Sequence, residues 1–211
     1  MKVIGITGGV GAGKSTVVNI LQKHYTIEYL HCDAIAHELM ERGGSAHEEL
    51  LSLFGEDLVT ADGTLNRGKL YERAFLGDRV EELNACVHPR VREYVEARIA
   101  SLREAMFPGM VLIEAALLIE AGYKDICDEL WYVHAPVEMR RVRLKENRGY
   151  SDERVDSIMA EQATEELFFS ASDFVLYNDS SREDCEAHII EQAEAHFSEW
   201  EASYKSEEVA E

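Results

Sequence analysis

The chain has 211 residues, 46% hydrophobic and 29% charged. At ~100–200 residues per domain that is one core carrying insertions, and the composition is too apolar for a disordered chain. There are 21 basic residues against 41 acidic ones, a formal net charge of −20. This excludes a general nucleic-acid binder and an anionic-membrane surface protein, which both need a basic face.

The elements follow in chain order. Lys2–Thr7 is a short β-branched run and reads as the first strand. Residues 16–23 have helical spacing. Ile27–His31 reads as the second strand. Residues 34–54 are helical and broken at Gly43-Gly44, and Asp62-Gly63 marks a turn. Residues 69–75 and 80–106 read as helices, the second interrupted near His88-Pro89. Residues 111–114, 129–134 and 173–177 are three further strands. Residues 137–147 and 152–167 are helices, the latter with Ser151 as N-cap. Short apolar strands alternating with helices predict an α/β fold with a five-stranded parallel sheet covered on both faces. The long helical stretch between strands two and three has no strand of its own, which marks it as an insertion.

The four cysteines, Cys32, Cys86, Cys127 and Cys185, are too far apart in sequence for a metal knuckle or a redox pair. Reduced thiols and a cytoplasmic location are expected. The N-terminus reaches Gly8 too soon for a secretory signal. The longest apolar run, residues 110–121, is too short for a membrane span and contains Glu114 and Glu120.

Charge is unevenly spread. Residues 1–32 are net +2 and residues 136–160 net +1, whereas the last 51 residues contribute −13. Anions are therefore expected at the two segments that are not acidic.

The first of these holds Gly8-Gly9-Val10-Gly11-Ala12-Gly13-Lys14-Ser15, which fits G-x-x-x-x-G-K-[ST] between a strand and a helix, with Thr16 following. Glycines let successive N–H groups turn inward onto phosphate oxygens, and the helix N-terminus adds partial positive charge. Gly9, Gly11, Ala12, Gly13, Lys14, Ser15 and Thr16 are the expected nucleotide contacts. Lys14 would reach the β- and γ-phosphates, and Ser15 would ligate Mg²⁺. A P-loop NTPase core using ATP and Mg²⁺ follows. Glu114, at the end of a buried strand, is expected to face metal or substrate; the alternative is a solvent-facing strand-end acid. The guanine signature Asn-Lys-x-Asp is absent. A small phosphotransferase then needs a base, an acceptor pocket and a basic lid.

Asp33 directly follows strand two at the carboxyl edge of the sheet, where it can accept the proton of an attacking hydroxyl. By position alone it could equally cap the next helix. Arg140, Arg141, Arg143, Lys145 and Arg148 make up the second non-acidic segment. Residues 140, 143 and 147 share one helical face and 141, 145 and 148 another, so one face suits phosphate and the other water.

These residues together resemble the dephospho-coenzyme A kinase family over nearly the whole chain. Residues 4–16 match its opening. Asp33-Ala34-Ile35-Ala36-His37 resembles its catalytic-Asp segment. Asp62-Gly63-Thr64-Leu65-Asn66-Arg67 with Leu70, Leu83-Asn84 with His88-Pro89, and Leu117-Leu118-Ile119-Glu120 resemble later segments, and Gln162 falls at the glutamine closing the family's lid. The resemblance implies transfer of the ATP γ-phosphoryl to the ribose 3′-hydroxyl of dephospho-CoA, with Asp33 as base and Lys14 and Arg143 assisting. It implies ATP contacts from Arg140, Arg148 and Asn178, and acceptor contacts from Asp33, Arg67, His88, Arg92 and Glu114. It implies a nucleotide core (1–33, 111–139, 168–200), a helical substrate-binding insertion (34–110) and a helical lid (140–167). ATP and dephospho-CoA are the expected partners of a monomer or weak homo-oligomer, with no nucleic acid and no membrane. The chain departs from the family pattern at His31, Ala116, Asn147 and Tyr177 to Ser180. Alternative readings are another small P-loop nucleotide or metabolite kinase, or an ATP-binding regulator with a vestigial site.

Overall fold

The computed structural model describes all residues except 116, 117, 120, 161, 182 and 209–211, and side chains through residue 198. Of the family-like segment after strand three, Ala116, Leu117 and Glu120 lie outside the described residues. The chain forms two compact units. One is Leu30–Phe107 with Met1; the other is Lys2–Tyr29 with Pro108–Glu211.

The chain's five strands are β1 (Lys2–Thr7), β2 (Ile27–His31), β3 (Met110–Glu114), β4 (Glu129–His134) and β5 (Phe174–Tyr177), all in the second unit save the last two residues of β2. Their order is β2-β3-β1-β4-β5, with β1 parallel to β3 and β4, and β4 parallel to β5. This is the α/β sheet expected from the sequence. Its strands read as near-continuous apolar runs because both faces are covered. Ile4, Ile6, Leu112, Trp131, Val133 and Leu176 pack with Val17, Val18 and Leu21 of α1 (Lys14–His24) and with Ile189 and Ala193 of α9 (Cys185–Glu208). The fully buried Trp131 donates its indole N–H to Glu129 Oε2 at 2.9 Å, so its polar atom is satisfied within the core. In the β1–β3 register Ile6 is level with Glu114, and in the β1–β4 register Thr7 is level with Tyr132. The carboxyl ends of the central strands therefore share one edge, where ligands bind in open α/β sheets.

The other unit is helical: α2 (Cys32–Met40), α3 (His47–Phe54), α4 (Arg67–Tyr71) and α5 (Val80–Glu104). The chain does break between α2 and α3, where the Gly43-Gly44 signal lies. Residues 69–75 do not form one regular helix: α4 ends at Tyr71 and a wider-wound turn follows over Glu72–Leu76. Nor does α5 break at Pro89. Proline there removes the N–H that would bond the carbonyl of Ala85. The helix runs on because Cys86, Val87, Val91, Val95, Ile99 and Leu102 form a buried stripe along it, and Arg90 donates to the Cys86 carbonyl at 2.5 Å beside the defect.

Beyond β4 lie α6 (Val137–Arg148), α7 (Asp152–Ala160) and α8 (Glu165–Ala171). The single helix expected over 152–167 is two. Thr164 caps α8, accepting from the Leu167 N–H at 3.3 Å, and Gln162 is drawn away to the β1–α1 loop. No helix of the described residues is long and apolar enough to cross a membrane, and none of the four cysteines is in a disulfide.

Candidate active site

The loop from β1 to α1 has Gly8, Gly11 and Gly13 at φ 145°, 84° and 89°. These conformations suit glycine, and a side chain would also collide. A Cβ at Gly11 would lie 2.9 Å from the Arg140 carbonyl oxygen, and one at Gly13 would strike Asn178 Nδ2. The glycines thus shape the loop and let α6 and the segment after β5 approach it. Lys14 opens α1 and donates from Nζ to the Gly8 carbonyl at 2.8 Å, spanning the loop it begins. Ser15 and Thr16 are exposed in the first turn of α1.

Glu114 ends β3 and is only 8% exposed. Its Oε1 lies 3.9 Å from Lys14 Nζ, and its Oε2 accepts from the Tyr29 hydroxyl at 2.5 Å. A solvent-facing acid is thereby excluded. Tyr29 did not stand out in the sequence; its only signal is period-two alternation along β2, which puts Ile27, Tyr29 and His31 on one face.

The basic cluster on α6 divides as its helical spacing predicts. Arg140 and Arg143 face the loop. Arg140, 6% exposed, donates from Nε to the Val10 carbonyl at 3.1 Å and from Nη2 to Gln162 Oε1 at 2.6 Å. Burial pulls its pKa down from the ordinary guanidinium value. Arg143 forks between the carbonyls of Ala12, at 3.2 Å, and Asn178, at 3.0 Å. On the other face Arg141 pairs with Asp156 at 2.6 Å and Lys145 with Asp152 at 2.9 Å, joining α6 to α7. Arg148 is exposed and has no ion pair among the described residues. Asn178, 2% exposed, spends its Nδ2 on the Ala12 carbonyl at 2.8 Å, and its Oδ1 accepts from the Cys185 thiol at 3.4 Å. It supports the loop through its backbone.

In the helical unit, Asp33 is the second residue of α2 and exposed, with Oδ2 3.9 Å from His31 Nε2. His31, not Asp33, holds the N-cap position, and its side chain makes no capping hydrogen bond. The capping alternative for Asp33 is therefore not realised. Arg67 pairs with Glu41 at 2.6 Å, and Glu41 also accepts from the Leu65 N–H at 3.1 Å. His88 is exposed on α5, and Arg92 one turn on pairs with Glu96 at 2.7 Å. The i,i+4 spacing places His88 and Arg92 on one face of α5.

Among the described residues no group of three or more His, Cys, Asp or Glu side chains could hold a metal. Mg²⁺ takes most of its ligands from phosphate and water, with one or two from protein. The exposed Ser15 hydroxyl and the Glu114 carboxylate fit that modest requirement.

A family model described as Dephospho-CoA kinase matches residues 2–184. A curated Dephospho-CoA kinase of Corynebacterium diphtheriae is 37% identical over 184 residues, covering 87% of this chain and 91% of that protein. A solved structure from Thermus thermophilus superimposes with a TM-score of 0.75 at 32% identity, covering 94% of this chain and 97% of its own. The dephospho-CoA kinase from Campylobacter jejuni shares the fold, with a TM-score of 0.64 at 19% identity over 92% of this chain and 96% of its own. A glycine-shaped phosphate loop at the carboxyl edge of a parallel sheet, with a match running through nearly the whole sequence, has one reading: the chain belongs to the dephospho-CoA kinase family.

Proposed function

We propose that this protein transfers the γ-phosphoryl group of ATP to the ribose 3′-hydroxyl of dephospho-CoA, with Asp33 as general base. The observation that carries the donor half is Arg140, a buried guanidinium beside a phosphate-type loop whose two hydrogen-bond acceptors, Val10 O and Gln162 Oε1, are both neutral. Glu165 acts on it electrostatically but forms no ion pair with it among the described residues, and a triphosphate would supply an anion in direct contact. The name shared by the curated relatives supports the acceptor.

In this reading the N–H groups of residues 9–16 and Lys14 hold the phosphates. Arg140 lies against the chain of charge, and Arg143 and Asn178 fix the Ala12 carbonyl and so the shape of the loop. Arg148, exposed at the end of α6, is free to swing onto nucleotide. Ser15, with Glu114 nearby, would hold Mg²⁺, which would supply positive charge to the phosphates when bound. Arg67, His88 and Arg92 bind the acceptor as part of the insertion (34–110), while residues 140–167 serve as lid. Asp33 takes the proton of the 3′-hydroxyl as the oxygen–phosphorus bond forms and the bond from the γ-phosphorus to the bridging oxygen breaks, releasing ADP. The protein works in the cytoplasm as a monomer or weak homo-oligomer.

ATP consumption is measured with dephospho-CoA against a panel of nucleosides, sugars and other small hydroxyl acceptors, and the product's phosphate position is read by ³¹P NMR. Preferred turnover of another acceptor would refute the assignment. Asp33→Asn is expected to lower kcat by roughly 10²–10⁴-fold with ATP affinity little changed. Retained turnover removes Asp33 as base.

A further inference from the structure

Three residues far apart in sequence close a small ring on the loop. The Val10 N–H donates to Gln162 Oε1 at 3.1 Å, Arg140 Nη2 donates to the same oxygen at 2.6 Å, and Arg140 Nε donates to the Val10 carbonyl at 3.1 Å. Both neighbours of the Gln162 amide are donors, so its oxygen must face them. Its Nε2 is buried with no hydrogen-bond partner, which leaves a desolvated donor uncompensated. A Cβ at Gly9 would strike Arg140 Nη2 and stand 2.7 Å from Gln162 Oε1, so the absence of a side chain there admits the ring.

The acceptor in this ring occupies the position a phosphoryl oxygen would want: on a backbone N–H of the glycine loop and on a buried arginine at once. We propose that Gln162 is a built-in competitor for the triphosphate, a positioning residue whose amide oxygen holds Val10 N–H and Arg140 until a phosphate oxygen replaces it. This rests on the nucleotide half of the proposed function. An amide oxygen is a weaker acceptor for a guanidinium than a phosphate oxygen, so exchange favours the ligand. The orphaned Nε2 is released from its buried position in the same step. Because Gln162 sits between α7 and α8, its release also loosens the tie between that segment and the loop, coupling phosphate binding to these two helices.

The test is a binding titration in the absence of acceptor. Mg²⁺ with a non-hydrolysable ATP analogue, and inorganic tripolyphosphate alone, are the probes. Gln162→Ala removes the competitor and is expected to bind both probes about three- to tenfold more tightly than the unmodified protein. Gln162→Asn, which keeps the amide but shortens its reach, is expected to do the same, and it preserves the test if the alanine variant folds poorly. Gln162→Glu presents a stronger acceptor to Arg140 and is expected to bind about tenfold more weakly. A residue that merely packs would weaken binding in all three variants. Unchanged or weaker binding by both Gln162→Ala and Gln162→Asn overturns the competitor role and leaves the proposed function standing. Failure of the unmodified protein to bind either probe overturns both.

Discussion

The Tyr29 hydroxyl donates to Glu114 Oε2 at 2.5 Å while Lys14 Nζ stands 3.9 Å from Glu114 Oε1. The acid's two oxygens are thus divided between a neutral donor on β2 and the cation that opens α1. A bond this short has the length of a charge-assisted O–H···O⁻ contact. Divided in this way, the carboxylate is held in one rotamer, facing the phosphate loop. Tyr29→Phe removes the donor and keeps the ring. It is expected to lower kcat/KM for ATP about tenfold, the size of one charge-assisted bond at ~1.5–3 kcal/mol less relaxation. Thermal unfolding should move little. An unchanged kcat/KM would show that Lys14 alone orients Glu114.

The loop tolerates no side chain at Gly11, where φ is 84° and the Arg140 carbonyl lies 2.9 Å from a built Cβ. Gly11→Ala is expected to cost ~1–3 kcal/mol in backbone strain and to displace α6 as well. ATP affinity, measured by calorimetric titration, should fall at least tenfold. An alanine variant that binds normally would mean the loop has another available shape.

Arg67 and Glu41 form an exposed pair at 2.6 Å, with side-chain exposures of 42% and 37%. Such pairs contribute ~0–1 kcal/mol to stability. Arg67→Ala is therefore expected to leave the unfolding midpoint nearly unchanged while raising KM for dephospho-CoA and leaving KM for ATP alone. Steady-state kinetics with each substrate varied in turn separates these; an equal rise in both KM values would argue against acceptor contact.

Asp57 accepts from Arg73 and Lys69, which hold its carboxyl well below the ordinary value of 3.8. A group whose pKa is lower in the folded state stabilises the fold above its unfolded pKa and loses that contribution as pH falls through the folded one. Asp57→Asn should therefore be less stable than the unmodified protein at neutral pH. The gap is expected to narrow as pH falls below 3.8 and to close only at still lower pH. Thermal unfolding of both proteins across that range checks it, and a gap that widens on acidification would reverse the sign.

The strands and the phosphate loop were legible because their signals are local. Apolar runs of four to six residues, glycines at fixed offsets and a lysine at the helix start lie within one short stretch of chain. The division of the arginines on α6 was legible for the same reason, since 3.6-residue spacing assigns residues to faces without reference to the rest of the molecule. Where long-range contacts compete with a local rule, the sequence misleads. Pro89 signals a break, yet a buried stripe six residues deep carries α5 through it. Residues 152–167 have unbroken helical character, yet the chain parts where Gln162 reaches the loop 152 positions away.

Taken alone, the amino-acid order settles the α/β class and the loop that receives phosphate, because each rests on spacing along the chain, and its likeness to known sequences gives the kinase family. The partners of Glu114, the neutral acceptors around Arg140 and the use of Asn178 to hold the Ala12 carbonyl emerge only on folding. Each joins residues more than 20 positions apart, and hydrogen bonding at such separations is decided by where the sheet brings its strand ends together.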